Sequence, residues 1–93
     1  MKDSLKIAIA GATGYVGLEL LKILSKHPRV KVLYLCAQKS IGKNITIFDK
    51  DLKGRGLPKI SNIDQVKWKK INVLFTALPN GEAQKIANYI PKN

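Results

Sequence analysis

The sequence predicts an α/β domain in which a parallel sheet is flanked by helices. Three observations predict it: an apolar run over 5–10, a glycine-rich segment over 11–17, and an amphipathic run over 16–24. A strand, a glycine-rich turn and a helix in that order form the phosphate-binding unit of Rossmann-like, dinucleotide-binding folds. No internal repeat is visible, and 93 residues allow one small domain at most.

Each glycine of the turn has a physical role in such a unit. Without a Cβ, Gly11 makes the tight turn out of the strand, Gly14 lets the backbone approach a pyrophosphate, and Gly17 lets the helix pack against the strand. The free N–H groups and partial positive charge of the helix N-terminus then attract the phosphates. We therefore predict that the cofactor is bound by Gly11, Thr13, Gly14, Tyr15, Val16 and Gly17.

Hydrophobic patterning predicts the first strand and helix. Leu5–Ala10 is continuously apolar apart from one lysine, which indicates a buried strand. Tyr15–Ser25 has helical periodicity. Its apolar positions are Val16, Leu20 and Leu24 at i, i+4 spacing, flanked by Leu21 and Ile23.

The helix is followed by a second strand. His27-Pro28 ends the helix because a residue before proline avoids helical geometry, and we interpret His27 as a helix-end residue that favours the dipole. Val30–Cys36 begins by alternating and becomes fully apolar, which is typical of a strand covered on both faces. Two strands joined through a helix make a right-handed, parallel βαβ unit. We assign Cys36, at the strand end, to core packing.

Residues 38–70 are less regular and rich in glycine and lysine. We predict a short extended or helical piece over Ile45–Phe48 and a short third strand around Lys59-Ile60 and Ile63. A turn of helix is expected over Asp64–Lys70, around Val66 and Trp68.

Ile71–Leu78 is again apolar and predicts a further strand, which Pro79-Asn80-Gly81 ends. Asn80 is a good N-cap for a helix whose apolar positions are Ala83, Ile86, Ala87 and Ile90. Ligands of open parallel sheets lie outside the carboxyl ends of the strands. A second cofactor contact is therefore predicted at Ala77, Leu78 and Pro79, although a plain strand-to-helix turn also explains these residues.

The end of the second strand predicts which cofactor is preferred. NAD-preferring folds place an Asp or Glu there, which takes the ribose hydroxyls and would repel a 2′-phosphate. Here Cys36-Ala37 is followed by Gln38, Lys39 and Ser40, with no acid. A cation and two polar donors suit a phosphate, so we predict NADP rather than NAD. The alternative is a solvated loop in a lysine-rich protein.

The formal net charge of +11 comes almost entirely from lysines spread along the chain. Base-reading surfaces rely on arginine forks, and only Arg29 and Arg55 are arginine. We therefore expect the charge to draw in a phosphorylated cofactor and substrate rather than nucleic acid. No stretch is long enough to span a membrane, no metal site is expected, and a single cysteine indicates a reducing, cytoplasmic setting.

The chain resembles the N-terminal part of the N-acetyl-γ-glutamyl-phosphate reductases over roughly residues 5–90. The resemblance is carried by Gly11–Gly17 with its tyrosine, by His27-Pro28 and by residues 77–81. The resemblance implies NADPH-dependent reduction of an acyl phosphate to a semialdehyde in arginine biosynthesis, by a homo-oligomer. Two departures are visible. Asp49-Lys50-Asp51 stands where a histidine-containing segment is usual, and Asn80 stands where that family usually has histidine.

The family's catalytic cysteine and histidine lie beyond the stretch that corresponds to residue 93, so neither Cys36 nor His27 is assigned a catalytic role. We expect residues 1–93 to be a partial dinucleotide-binding domain without the catalytic and dimerisation domain. Alone, it is expected to be inactive and either poorly stable or self-associating, because its sheet would expose an unpaired edge.

Three other interpretations stay open. The aspartate-semialdehyde dehydrogenases share the glycine turn, so the chain is alternatively a part of such an enzyme. Some non-catalytic, NADP-sensing relatives of short-chain dehydrogenases also open with Gly-Ala-Thr-Gly-Tyr, as in 11–15. The last interpretation is a basic Rossmann-like fragment with no function of its own.

Overall fold

The computed structural model describes residues 5–77, and a four-stranded sheet lies at its centre. The elements in chain order are β1 (Leu5–Ala10), α1 (Tyr15–Leu24), β2 (Val30–Cys36), β3 (Ile60–Ser61) and β4 (Val73–Thr76). All strand pairs are parallel, in the order β3-β2-β1-β4. This is the order of the first four strands of doubly wound dinucleotide-binding sheets, so the predicted fold class is confirmed.

The carboxyl ends of three strands lie side by side. Ala10 of β1 is opposite Cys36 of β2 on one side and Thr76 of β4 on the other. The turn after β1 is tied to this edge, because the N–H groups of Gly11 and Ala12 both donate to the Cys36 carbonyl, at 2.9 and 3.1 Å. The glycine turn therefore lies against the ends of its neighbouring strands.

Helix α1 packs at Gly17, as predicted, but its buried apolar face is centred on Leu21 and not on the predicted stripe. Gly17 and Leu21 are buried, whereas Val16 is 63% exposed and Ile23 is also exposed. The reason is steric: the helix approaches the chain most closely where Gly17 has no side chain. A hydrophobicity pattern does not count glycine as a packing residue. The predicted stripe of Val16, Leu20 and Leu24 is therefore only partly correct: Leu24 packs against the core, whereas Val16 is exposed.

The core lies between the sheet, α1 and the segment that follows β2. Its large, fully buried side chains are Ile7, Ile9, Leu21, Leu35, Ile45, Leu52 and Ile60. Cys36 is 2% exposed, which confirms its assignment to core packing. No helix within residues 5–77 is long and apolar enough to cross a bilayer.

Helix α1 ends slightly earlier than predicted, at Leu24, with Ser25 as its C-cap. His27 therefore lies in the following turn rather than in the helix. Its backbone N–H donates to the Leu24 carbonyl, and its Nδ1 accepts the Arg29 N–H at 3.1 Å. His27 therefore closes a turn, and the prediction that it lies at the end of the helix is wrong.

The middle of the chain forms isolated 3₁₀ turns, at Ile45–Ile47, Lys50–Leu52, Ile63–Gln65 and Trp68–Lys70. The single helical turn predicted over Asp64–Lys70 is wrong, because Val66 is buried in extended conformation between two such turns. The third strand consists of Ile60–Ser61 alone, and Ile63 begins a turn instead. The Asn62 side chain accepts the Asp64 N–H and the Gln65 side chain accepts the Asn62 N–H, which starts that turn.

The last described strand, β4, begins at Val73 rather than at Ile71. Asn72 lies just before it and forms two bonds with Lys6: its N–H donates to the Lys6 carbonyl and its Oδ1 accepts the Lys6 N–H, both at 2.8 Å. Leu78, together with the predicted cap at Asn80 and the helix after it, lies outside the described residues.

The segment after β2 is docked on the C-terminal half of α1 by charged groups. The Lys22 ammonium lies 2.7 Å from the Asp49 carboxylate. The Arg55 guanidinium donates to the Lys22 carbonyl at 3.2 Å and to the Ser25 hydroxyl at 2.7 Å. A cation at a helix C-terminus is favourable. These contacts therefore fix the segment after β2 against the C-terminal half of α1.

Candidate functional site

The glycine turn after β1 is shaped by two glycines that the fold itself requires. Gly11 has a φ of +77°, a left-handed conformation that favours glycine. A Cβ on Gly17 would lie 2.2 Å from the Gly11 carbonyl oxygen and 2.9 Å from the Ala12 Cα. The Gly17 distances show that the turn and the helix touch backbone to backbone.

Gly14 is different, since nothing in the described chain requires glycine there. Its φ is −77°, which any residue adopts, and an added Cβ would meet only the Gly11 carbonyl oxygen at 3.6 Å, an ordinary contact. The residue is exposed. An exposed glycine with no internal reason to be one indicates a surface that another molecule approaches closely.

The N-terminus of α1 offers hydrogen-bond donors beside Gly14. The helical ladder begins with the Leu18 N–H donating to the Gly14 carbonyl. The N–H groups of Tyr15, Val16 and Gly17 find no acceptor within residues 5–77, and Gly14 supplies no side-chain cap. No acidic residue lies in the first turn. These donors and the helix dipole make an anion-binding arrangement. Tyr15 is 80% exposed at its rim.

The end of β2 adds a second polar surface. The 37–43 loop, which follows β2, carries exposed Gln38 and Lys39 and half-buried Ser40. Ser40 has a φ of +66°. The sequence contains no Asp or Glu between Glu19 and Asp49. Because β2 neighbours β1, this acid-free loop follows the strand end that contacts the glycine turn.

The end of β4 lies on the other side of the turn. The Ala77 N–H donates to the Ala10 carbonyl at 2.9 Å, which extends the β1–β4 pairing by one step. Leu78 and Pro79 lie outside the described residues. Thr76 is exposed at this strand end, and reasoning from the sequence did not single it out. The available signal was its polarity, since it interrupts the apolar run of 73–78.

The structure does not bring Cys36 or His27 into a catalytic arrangement. Burial raises the pKa of the Cys36 thiol to about 11, so it is protonated near neutral pH and is not a nucleophile. His27 lies beyond the C-terminus of α1, at the opposite end of the helix from the glycine turn. Across residues 5–77, no group of three or more His, Cys, Asp or Glu could hold a metal ion.

A small cavity of about 160 Å³ lies elsewhere, in the segment between β2 and β3. It is bounded by the turn at Ile45 and the loop around Arg55. Neither the glycine turn nor the strand ends line it. It therefore belongs to the packing of that segment and not to the polar edge described above.

A parallel sheet in this order, with a glycine turn and free helix donors at its carboxyl edge, defines a dinucleotide-binding domain of the Rossmann class. The chain belongs to the semialdehyde dehydrogenase NAD-binding domain family, whose model matches residues 6–93.

Curated relatives carry a more specific name. N-acetyl-gamma-glutamyl-phosphate reductase of Rhodospirillum rubrum is 40% identical over 86 residues, which are 92% of this chain and 24% of that protein. The protein of the same name from Ehrlichia ruminantium is 40% identical over 91 residues, or 97% of this chain and 26% of that protein. The chain thus spans about a quarter of the length of these relatives.

A solved structure shows the same fold. The aspartate semialdehyde dehydrogenase of Candida albicans, determined with NADP, matches with a TM-score of 0.73 and 26% identity. The match covers 92% of this chain and 26% of that one.

Proposed function

We propose that this chain binds NADP(H) and forms the cofactor-binding part of an NADPH-dependent N-acetyl-γ-glutamyl-phosphate reductase. Family membership supports nucleotide binding. The curated relatives at 40% identity carry the name of that reductase. The cofactor supplies hydride when bound, and residues of this chain would bind and orient it.

One observation carries the proposal. N–H donors that find no acceptor within residues 5–77 and a strand end without an acid lie along one edge of the sheet. The pyrophosphate would be held at the glycine turn and first helical turn, by Gly11, Thr13, Gly14, Tyr15, Val16 and Gly17. The 2′-phosphate would be held by Gln38, Lys39 and Ser40. The end of β4 would supply the remaining contact, through Ala77, Leu78 and Pro79.

Electrostatics supports NADP over NAD. A carboxylate after β2 would repel a 2′-phosphate and accept bonds from the ribose hydroxyls. This chain has Lys39 there instead, and the nearest acids along the sequence are Glu19 and Asp49. Glu19 and Asp49 both pair with Lys22, so their charge is partly neutralised within the chain.

The direct test is titration of the purified chain with NADPH and with NADH at about 0.15 M salt, a concentration that screens charges beyond roughly 8 Å. We expect tighter binding of NADPH, and a smaller difference between the cofactors in Lys39→Gln. Lys31→Gln is the matched control, because Lys31 is an exposed cation near the amino end of β2. Tighter binding of NADH by the unaltered chain would refute the assignment.

The reaction itself is part of the proposal and depends on catalytic residues that are not assigned to any position here. The structural match to an aspartate semialdehyde dehydrogenase with NADP favours that enzyme as the second candidate. The intact protein separates them: it should reduce NADP with phosphate and N-acetylglutamate semialdehyde, and not with aspartate semialdehyde. A cytoplasmic location and a homo-oligomeric intact enzyme belong to the same proposal.

A further inference from the structure

The 37–43 loop is held in place by backbone bonds to β3. The Ala37 N–H donates to the Ser61 carbonyl at 3.2 Å, and the Gly42 N–H donates to the Ile60 carbonyl at 2.7 Å. The Ile60 N–H donates in return to the Lys43 carbonyl at 2.9 Å. The loop is thus tied to β3 near both of its ends, which makes it a pre-shaped element rather than a freely moving one.

Two residues of this loop have left-handed backbone. Gly42 has a φ of +86°, and Ser40, at +66°, is the only non-glycine with positive φ in the described part of the chain. The two are linked, because the Lys43 N–H, next to Gly42, donates to the Ser40 carbonyl at 3.1 Å. A disfavoured conformation at a serine persists only where its surroundings impose it. Here the bonds that involve Gly42 and Lys43 impose it.

The loop also presents free donors. The N–H groups of Lys39, Ser40 and Ile41 find no acceptor within residues 5–77, and Lys39 and Ile41 are exposed. Successive backbone N–H groups in a turn of this kind form concave sites for anions. A lysine ammonium and a serine hydroxyl belong to the same three residues.

We infer that Gly42 is a positioning residue for the 2′-phosphate, and that the backbone N–H groups of Lys39, Ser40 and Ile41 form its receptor. The inference rests on the proposed NADP(H) function and deepens it. Selectivity between the two cofactors then depends on the shape of the loop, and only secondarily on the charge of Lys39. Gly42 touches no ligand in this arrangement. It acts by allowing the backbone conformation that holds Ser40.

Gly42→Ala tests the inference, with Gly54→Ala as its matched control. An added Cβ meets nothing within 4 Å at either position, and the φ values are +86° and +82°. Both variants therefore carry a similar conformational strain, but only Gly42→Ala lies in the 37–43 loop. The probes are 2′,5′-ADP, which has the 2′-phosphate, and 5′-AMP, which lacks it.

Gly42→Ala should weaken 2′,5′-ADP binding by about tenfold, the effect of losing one charge-assisted hydrogen bond, and leave 5′-AMP binding unchanged. Gly54→Ala should change neither. If Gly42→Ala keeps the preference of the unaltered chain for 2′,5′-ADP, the inference is wrong while NADP remains the cofactor. If the unaltered chain binds 2′,5′-ADP and 5′-AMP equally well, the assignment of NADP as the cofactor is wrong, and the inference about Gly42 is wrong with it.

A second variant covers the case in which Gly42→Ala does not fold. Ser40→Gly removes the hydroxyl but accepts a φ of +66° without strain. If the backbone is the receptor, Ser40 holds the phosphate through its N–H group and not through its hydroxyl. The variant retains that N–H group and should therefore keep the preference for 2′,5′-ADP over 5′-AMP. Loss of that preference would assign recognition to the serine side chain and overturn the inference.

Discussion

Gly17→Ala is expected to separate the folding role of the glycine turn from its binding role. The Cβ of the new alanine would lie 2.2 Å from the Gly11 carbonyl oxygen and 2.9 Å from the Ala12 Cα. Ordinary contact begins at roughly 3.5 Å. Because both obstacles are backbone atoms, no side chain can rotate away, and α1 must move off the turn by about 1 Å or more.

The magnitude follows from two opposing effects. Overpacking costs about 1–3 kcal/mol, and a backbone clash belongs at the upper end. Alanine regains about 1 kcal/mol over glycine inside a helix. We therefore expect Gly17→Ala to lower the free energy of unfolding by about 2 kcal/mol. At about 4–8 °C per kcal/mol for a domain of this size, Tm should fall by about 8–16 °C.

Gly14→Ala is the matched control, since its Cβ would lie at an ordinary 3.6 Å from the same oxygen. It loses some N-cap preference but gains backbone entropy, so its stability should stay within about 1 kcal/mol of the unaltered chain. Its NADPH affinity should fall, because the added methyl group occupies the approach to the helix donors. Urea unfolding followed by the fluorescence of Trp68 measures the stability, and NADPH titration measures the cofactor affinity.

The reasoning would be refuted if Gly17→Ala were as stable as the unaltered chain. It would also be refuted if Gly14→Ala lost as much stability as Gly17→Ala. Either result would mean that α1 does not pack on the turn as closely as the 2.2 Å distance from a Gly17 Cβ to the Gly11 carbonyl oxygen requires.

Three further predictions concern positions outside the glycine turn. Asn72→Ala removes the acceptor of the Lys6 N–H and should cost about 1 kcal/mol in urea unfolding, with faster hydrogen exchange at that amide. The hydrogen bond from Lys22 lowers the pKa of Asp49. The ion pair therefore stabilises the fold fully above the ordinary carboxyl pKa of about 4, and this stabilisation is lost as the pH falls through the lowered pKa of Asp49 in the folded chain. Asp49→Asn should flatten that acid limb of a plot of Tm against pH. Cys36, with its pKa raised to about 11 by burial, should react slowly with iodoacetamide at pH 7.5 and rapidly in denaturant.

Each of the three has its own control or contradicting result. Asn44→Ala removes the same side chain from a cap that makes no side-chain bond, and an equal loss there would show that the Asn72 bond is not special. Asp64→Asn removes a carboxylate that forms no ion pair within residues 5–77, and it should leave the acid limb unchanged. Fast alkylation of Cys36 in the folded chain would contradict its burial.

Local patterning was enough to predict much of the first half of the chain. The predicted bounds of β1 and β2, Leu5–Ala10 and Val30–Cys36, agree with the structure. Long apolar runs bounded by a glycine turn and by His27-Pro28 report on neighbours in sequence, and those neighbours decide where a strand starts and stops. The fold class followed from this first segment, because a strand, a glycine turn and a helix are consecutive. The family came from a resemblance that also used residues 77–81.

The remaining features depend on contacts between distant residues. The third strand is two residues long because only Ile60 and Ser61 pair with the end of β2, and no pattern over 59–63 could show where that partner ends. The left-handed backbone of Ser40 follows from the tethering of its loop to β3, 20 residues further along the chain.

The packing of α1 shows most clearly which features the sequence determines and which depend on the tertiary structure. The sequence by itself determined that a helix follows the turn and that one side of it is apolar. The glycine pattern also predicted that Gly17 lets the helix pack against the strand. Only the tertiary structure decided that Leu21 is buried beside that contact and that Val16 is exposed. The physical reason is that hydrophobicity reports which side chains avoid water, whereas the point of closest approach between two backbones is set by the absence of a side chain.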